Sequence, residues 1–213
     1  VVSCRASDHV TEGYRAFENV SYPCFTTAGG RRVELREGIW TGAGYAQNLK
    51  LINVPVLKHH DTGGSEITAS LKHFYGVLSM SDGHSSFRHY EGLGETAGKM
   101  AAAVRTPVLN IIDAIWVSHL SITGYPASTT FRLNQILASQ DPVALDYWAA
   151  KNILMPAARA GGYSDLQSMD PDNIQSGSFG DWLRLSMNEI RNAGYQATVD
   201  EKSMNLHLGS KAC

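Results

Sequence analysis

The sequence has no excess of basic residues. Eighteen Lys and Arg stand against twenty Asp and Glu, a net charge of −2 with a pI near 6.5. No positive field is available to gather phosphate backbones, and a DNA or RNA partner is not expected. Cysteine is scarce: Cys4, Cys24 and Cys213 lie far apart and form no CxxC pair, which argues against an internal iron–sulfur cluster or zinc ribbon. A Cys4–Cys24 disulfide would need an oxidising compartment, and otherwise the three are ordinary thiols. No apolar run approaches the roughly 20 residues that cross a bilayer, and no signal-peptide pattern stands at the N-terminus. The glycine spacings of a Walker loop and of a dinucleotide-binding turn are missing as well, so neither phosphate-cradling signature is present.

Histidine, by contrast, is concentrated. Five of the eight, His59, His60, His73, His84 and His89, fall within 31 positions. The stretch Leu51–Gly76 (LINVPVLKHHDTGGSEITASLKHFYG) begins this region. Its apolar run Leu51–Leu57 is too short for a core helix and reads as a buried strand, ending in Lys58, His59 and His60. In open α/β sheets ligands settle at the carboxyl ends of strands, which makes these three residues site candidates. Gly63 and Gly64 supply a turn, and the apolar positions Ile67, Leu71, Phe74 and Leu78 predict a helix from Glu66. Its unpaired N–H groups would suit a small anion near Gly63 and Gly64. On that helix Lys72 flanks the apolar stripe and His73 points away from it.

Further along, Met80–Gly94 reads as a loop carrying His84, Arg88 and His89. Gly94–Val104 reads as a small-residue helix, and Val108–Trp116 as a second buried strand containing Asp113. A carboxylate inside an apolar strand must be hydrogen-bonded, paired or bound to a metal. Asn134–Ala138 predicts a third strand. Asp141 before Pro142 is a helix-start signal, with Asp146 in the second turn of the helix Pro142–Leu154, and Phe179–Asn192 has the period of an amphipathic helix. Near the amino end a helix is expected around Thr11–Val20, and a half-buried strand over Arg31–Glu37. Together these elements predict a single α/β domain over 1–213, three-layered, with a mainly parallel sheet and helices on both faces.

The ordered segments NVPVLKHH, SLKHFYG, RHYEG, LNIIDAI and LASQDPVALD resemble the bacterial and archaeal family called domain of unknown function 362, over roughly Leu49–Leu154. The resemblance implies an α/β fold and, as in some members, a ferredoxin-type redox partner or export by a twin-arginine signal, so that the chain is cytoplasmic or periplasmic. Family members usually carry an upstream strand ending in a Lys-Pro-Asn-like motif. Its absence here implies a missing N-terminal half or a partner chain. A more distant likeness, to nickel-pincer lactate racemase, places His60, Gly63–Gly64, Lys72 and His89 where that enzyme has its histidine, glycine turn, lysine adduct and second histidine.

Three functions follow as expectations. The first is an enzyme in which Lys58, His60 and Lys72 are catalytic, Arg88, Gly63 and Gly64 hold a small anionic substrate, and His60, His84, His89 and Asp113 hold a transition metal such as nickel, zinc or iron. His59, His73, Asp141 and Asp146 are further candidates for that site. The second is a non-catalytic anion- or cofactor-binding module or redox accessory. The third is a structural or assembly subunit.

Overall fold

Two β-sheets organise the chain in a computed structural model that describes residues 14–17, 20–60, 67–77, 92–119 and 130–209. The first sheet is an antiparallel meander: β1 (Tyr14–Phe17), β2 (Val20–Thr26), β3 (Arg32–Glu34), β4 (Gly38–Trp40) and β5 (Tyr45–Ala46) pair in sequence order. The helix expected around Thr11–Val20 is therefore corrected to a hairpin over its described part. Aromatic and β-branched residues in YRAF and VSYPCFT fit a pleated, half-buried surface better than a helical stripe. Gly38 has φ +107°, and a Cβ there would lie 2.1 Å from the Ala46 carbonyl oxygen, so the tight approach of β4 to β5 requires glycine. Cys24 on β2 is a free thiol, buried against the Glu34 carboxylate at 3.7 Å.

The second sheet runs β10 (Thr130–Ser139), β9 (Leu109–Ser118), β7 (Val56–His59), β8 (Ile67–Thr68), with β6 (Ile52–Asn53) also pairing β9. Only β6 and β7 lie parallel to β9, whereas β10 on β9 and β8 on β7 are antiparallel. The expectation of a mainly parallel sheet is thus corrected to a mixed one. Chain length explains the difference: eleven residues separate β9 from β10 and seven separate β7 from β8, fewer than the dozen or so that a parallel crossover needs.

Side-chain alternation decides the layering. On one face Leu57, His59, Asn110, Ile112 and Ala114 are buried under helices, while on the other Val56 and Ile136 keep 50% and 66% of their surface exposed. Among the described residues the helices cover one face of this sheet, and the predicted second helical layer is not found there. VLNIIDAIW looks continuously apolar in sequence, yet its burial alternates strictly from Leu109 to Ile115, as in a one-sided sheet.

The helical layer begins with α1 (Ser70–His73), extended by a 3-10 turn to Gly76. The helix expected from Glu66 starts later, because Ile67 and Thr68 pair with His59 and Lys58 as β8. Then come α2 (Leu93–Lys99), prolonged by a π-helical stretch to Val104, α3 (Pro142–Ala149), a second π stretch Ala150–Leu154, α4 (Met155–Ala160) and α5 (Phe179–Asn192). Pro156 cannot donate to the carbonyl four residues back, and the widened turns of Ala150–Leu154 end immediately before Met155-Pro156. Helices α2 and α5 meet at glycines. A Cβ on Gly98 would come 2.7 Å from the Ser186 carbonyl oxygen, and the Ser186 hydroxyl donates to the Gly94 carbonyl at 2.6 Å. Leu57, Leu71, Met100, Ile112, Leu154, Phe179 and Leu183 form the centre of the core, and Val20, Tyr22 and Leu35 of the first sheet join the same cluster.

Candidate functional site

The short helix α1 carries the candidate Lys-His pair, and two separate anchors hold it. Its first N–H groups, of Ser70 and Leu71, donate to the two oxygens of Asp146 at 2.7 and 2.9 Å. The helix start expected to receive an external anion is thereby occupied by the chain's own carboxylate, carried on α3. Asp146 has no exposed surface. Burial pushes its carboxyl up to about 7, against the opposing effect of the two backbone donors and the nearby Ser70 side chain. Asp141 caps α3 as expected, accepting from the N–H groups of Val143 and Ala144, and its second oxygen takes the Thr198 N–H at 2.9 Å. Burial raises the Asp141 pKa in spite of these bonds. All three acceptor contacts of Asp141 are structural.

The second anchor is a polar relay. Asn53 of β6 and Asn110 of β9 are register partners on adjacent parallel strands, both buried. Asn110 Nδ2 lies 3.3 and 3.4 Å from the carbonyls of Ser139 and Gln140. Asn53 Nδ2 donates to Asn110 Oδ1 at 3.0 Å and to the Ser70 carbonyl at 2.8 Å. Asn53 Oδ1 then meets His73 Nδ1 at 2.6 Å. Burial lowers the His73 pKa. His73 is nonetheless exposed as a residue, so water screens part of that effect. Lys72, its neighbour, is 4% exposed.

The other candidates lie elsewhere on the sheet. Alternation along β7 sends Lys58 to the open face and His59 beneath the helices. His59 is 1% exposed, with its ring 5.5 Å from that of Tyr163. His60 Nδ1 lies 3.1 Å from Thr68 Oγ1, and Thr68 is the register partner of Lys58, which gathers Lys58, His60 and Thr68 on one side of the β7–β8 hairpin. Asp113 sits on the open face between Val56 and Ile136 and accepts the Ile115 N–H at 2.9 Å. That local bond is the hydrogen-bonded alternative foreseen for a carboxylate within an apolar strand. Asn53 and His59 are six residues of extended chain apart, on the order of 20 Å, so the relay stands at the amino end of the parallel strands and His59 and His60 at the carboxyl end. Gly63, Gly64, His84, Arg88 and His89 lie outside the described residues. Among the described residues no three His, Cys, Asp or Glu side chains are grouped to hold a metal ion.

Sequence reasoning missed four polar residues of the interior or the hairpin: Asn53, Asn110, His119 and Thr68. A single Asn inside each apolar run was the available signal, since a polar group buried in a strand must be satisfied. His119, directly after β9, is 2% exposed, and neither ring nitrogen has a hydrogen-bond partner among the described residues. Burial lowers its pKa. It packs against Phe131 at 5.1 Å between ring centroids and against the bare face of Gly161. A cleft of about 340 Å³ beside the amino end of β6 is lined by Arg36, Lys50 and Arg105, among others. Both of its guanidinium groups donate to backbone carbonyls, Arg36 to Ala103 and Arg105 to Leu35.

No curated protein and no solved structure matches the chain, and the likeness to lactate racemase therefore gains no support. No helix among the described residues is long and apolar enough to cross a membrane. A family profile matches residues 23–151, more than half of the sequence and including β6, β7, α1, β9 and Asp146. By that match the chain belongs to the domain of unknown function family DUF362.

Proposed function

We propose that the chain is an α/β enzyme acting on a small anionic ligand, with Lys72 and His73 of α1 as its working pair. The observation that supports this most is the double anchoring of a four-residue helix, by Asp146 at its start and Asn53 at its end, with a buried lysine next to an exposed imidazole. An ammonium withdrawn from water acts more strongly on an anion brought beside it than one on the surface. An imidazole held by a second group can accept or return a proton in a fixed direction. A metal-bearing form would lie apart from the Lys72–His73 pair, since its candidate ligands His60, His84, His89 and Asp113, for a transition metal such as nickel, zinc or iron, include His60 at the carboxyl end of the parallel strands.

The test is a thermal-stability screen with phosphate, sulfate and small carboxylates, combined with elemental analysis of the purified protein. A stabilising anion whose effect is lost in Lys72→Met and weakened in His73→Gln is expected. An anion response unchanged in both variants, or no response to any anion, overturns the reading. Bound transition metal at close to one equivalent would support the metal-bearing form, and its absence after metal reconstitution would remove that form.

A second function, assembly with another chain, is favoured by the open sheet face. Ile52, Val56, Trp116 and Ile136 are each at least half exposed there, and apolar surface gathered on one face marks an interaction site more often than an idle surface. A concentration-dependent mass in analytical ultracentrifugation that falls in Ile136→Asp would support it.

A further inference from the structure

The relay Ser139/Gln140–Asn110–Asn53–His73 has a direction, and backbone carbonyls set it. A carbonyl can only accept, so the Asn110 atom facing Ser139 and Gln140 is its amide nitrogen, and the Asn53 atom facing the Ser70 carbonyl is likewise its nitrogen. Asn110 Oδ1 therefore accepts from Asn53, and Asn53 is left with only an oxygen to offer His73. An oxygen at 2.6 Å from His73 Nδ1 requires that nitrogen to carry the proton. In the neutral ring the other nitrogen, Nε2, is then unprotonated, and it has no partner among the described residues.

We infer that His73 is a positioned proton acceptor whose Nδ1–H tautomer is fixed by Asn53, leaving the Nε2 lone pair to take a proton from a bound ligand. The step balances without a co-reactant. The proton moves from an acidic O–H, N–H or C–H of the ligand to Nε2, the electron pair stays on the ligand, and the resulting imidazolium keeps its Nδ1–H bond to Asn53 Oδ1. The lowering of the His73 pKa by burial acts in the same sense, because it keeps the ring neutral and Nε2 bare near neutral pH. Asn53 and Asn110 are positioning residues: they touch no ligand and act through the imidazole, as the outer partner of a metal-bound or catalytic histidine does. Two buried asparagines on neighbouring strands are a costly way to satisfy one another, and they end on the one exposed histidine of α1.

This inference rests on the proposed function only for the existence of a ligand, because the tautomer belongs to the ligand-free protein. Long-range ¹H–¹⁵N correlation spectra read it directly, with the His73 signals assigned by their loss in His73→Gln. From pH about 5 to about 8, the range over which an ordinary imidazole titrates, Nδ1 should stay protonated while any protonated Nε2 gives way to the bare position. In Asn53→Ala the fixed pattern should give way to a mixture dominated by Nε2–H. If Asn53→Ala does not fold, the wild-type spectrum alone still decides the tautomer; Asn110→Ala should leave it unchanged, because the Ser70 carbonyl still orients the Asn53 amide. An Nε2–H tautomer in the wild type, or a pattern unchanged in a folded Asn53→Ala, overturns the inference. The expected tautomer together with no His73-dependent response to phosphate, sulfate or carboxylates would instead count against the proposed function.

Discussion

Replacing Asp146 by Asn should change how the stability of this protein depends on pH more than how stable it is at any one pH. Asp146 has no exposed surface, and burial raises its carboxyl to about 7. In the unfolded chain the same group titrates near about 3.9, and a gap of about 3 units corresponds to roughly 4 kcal/mol. Because the folded value is the higher one, the folded state holds the proton more tightly. The associated stability is fully present below pH about 4, falls as the unfolded chain sheds its proton, and is lost once pH passes the folded value of about 7. Between pH 5 and pH 8 the wild type should lose roughly 2.5 kcal/mol through this group alone, by the same linkage.

Asn cannot ionise, so Asp146→Asn removes that slope. It also introduces a cost, since its amide nitrogen must face the N–H of Ser70 or of Leu71, where both Asp146 oxygens now accept. A buried donor set against a donor costs about 1–3 kcal/mol. The variant should therefore be less stable than the wild type at pH 5, and the gap should close or reverse by pH 8. Urea midpoints followed by tryptophan fluorescence, measured for both proteins across that range, give the difference directly, and other titrating groups cancel in it. A gap that stays constant would refute the reasoning. Such a constant gap is what results if the two backbone donors hold Asp146 as an anion in spite of its burial, because the carboxyl is then ionised in the folded and the unfolded chain alike from pH 5 to pH 8.

Two further substitutions probe the packing. Gly161→Ala puts a Cβ 2.3 Å from Cε1 of the buried His119 ring and should cost about 1–3 kcal/mol in denaturant unfolding, as overpacking does; combined with His119→Ala it should regain most of that loss, and simple additivity would contradict the contact. Gly98→Val forces a branched side chain against the Ser186 backbone where α2 crosses α5 and should lower the melting temperature by several degrees, whereas the same substitution at Gly44, which has nothing within 4 Å of its Cβ position, should leave it nearly unchanged.

The elements legible in the sequence were those with local signals. The helix Phe179–Asn192 appears with the expected bounds, because its apolar period and the capping Ser178 need no distant partner. The Asp141–Pro142 helix start is likewise as expected. It continues through the π stretch to Ala160, beyond the expected end at Leu154, since Pro156 bends the ladder without ending it. Strand direction was harder to read, because it depends on which strand lies alongside. The bounds read from sequence, Val108–Trp116 and Asn134–Ala138, leave seventeen residues between the two strands, enough for a crossover, and only the longer strands of the structure cut the gap to eleven. The Thr11–Val20 segment reads as a helix in sequence, and only the pairing of Tyr14–Phe17 with β2 makes its described part a strand.

Closeness in sequence was the weaker guide to the candidate site, and the geometry of a strand explains why. His59 and His60 are adjacent in sequence, yet the pleat buries the first beside Tyr163 and leaves the second beside Thr68. His73 is thirteen positions beyond His60, but the chain has by then reversed along β8 and entered α1, which brings its ring to Asn53 at the other end of the sheet. Asn53 and Asn110, by contrast, stand 57 positions apart and lie in hydrogen-bond contact at 3.0 Å. Each of those asparagines interrupts an apolar strand, where an unsatisfied amide would cost on the order of 1–3 kcal/mol. A polar residue that a sequence retains at such a cost predicts a partner, and here following the partners from one asparagine to the next leads to His73. Buried polar residues within apolar runs therefore locate this candidate site more directly than the density of histidines around them.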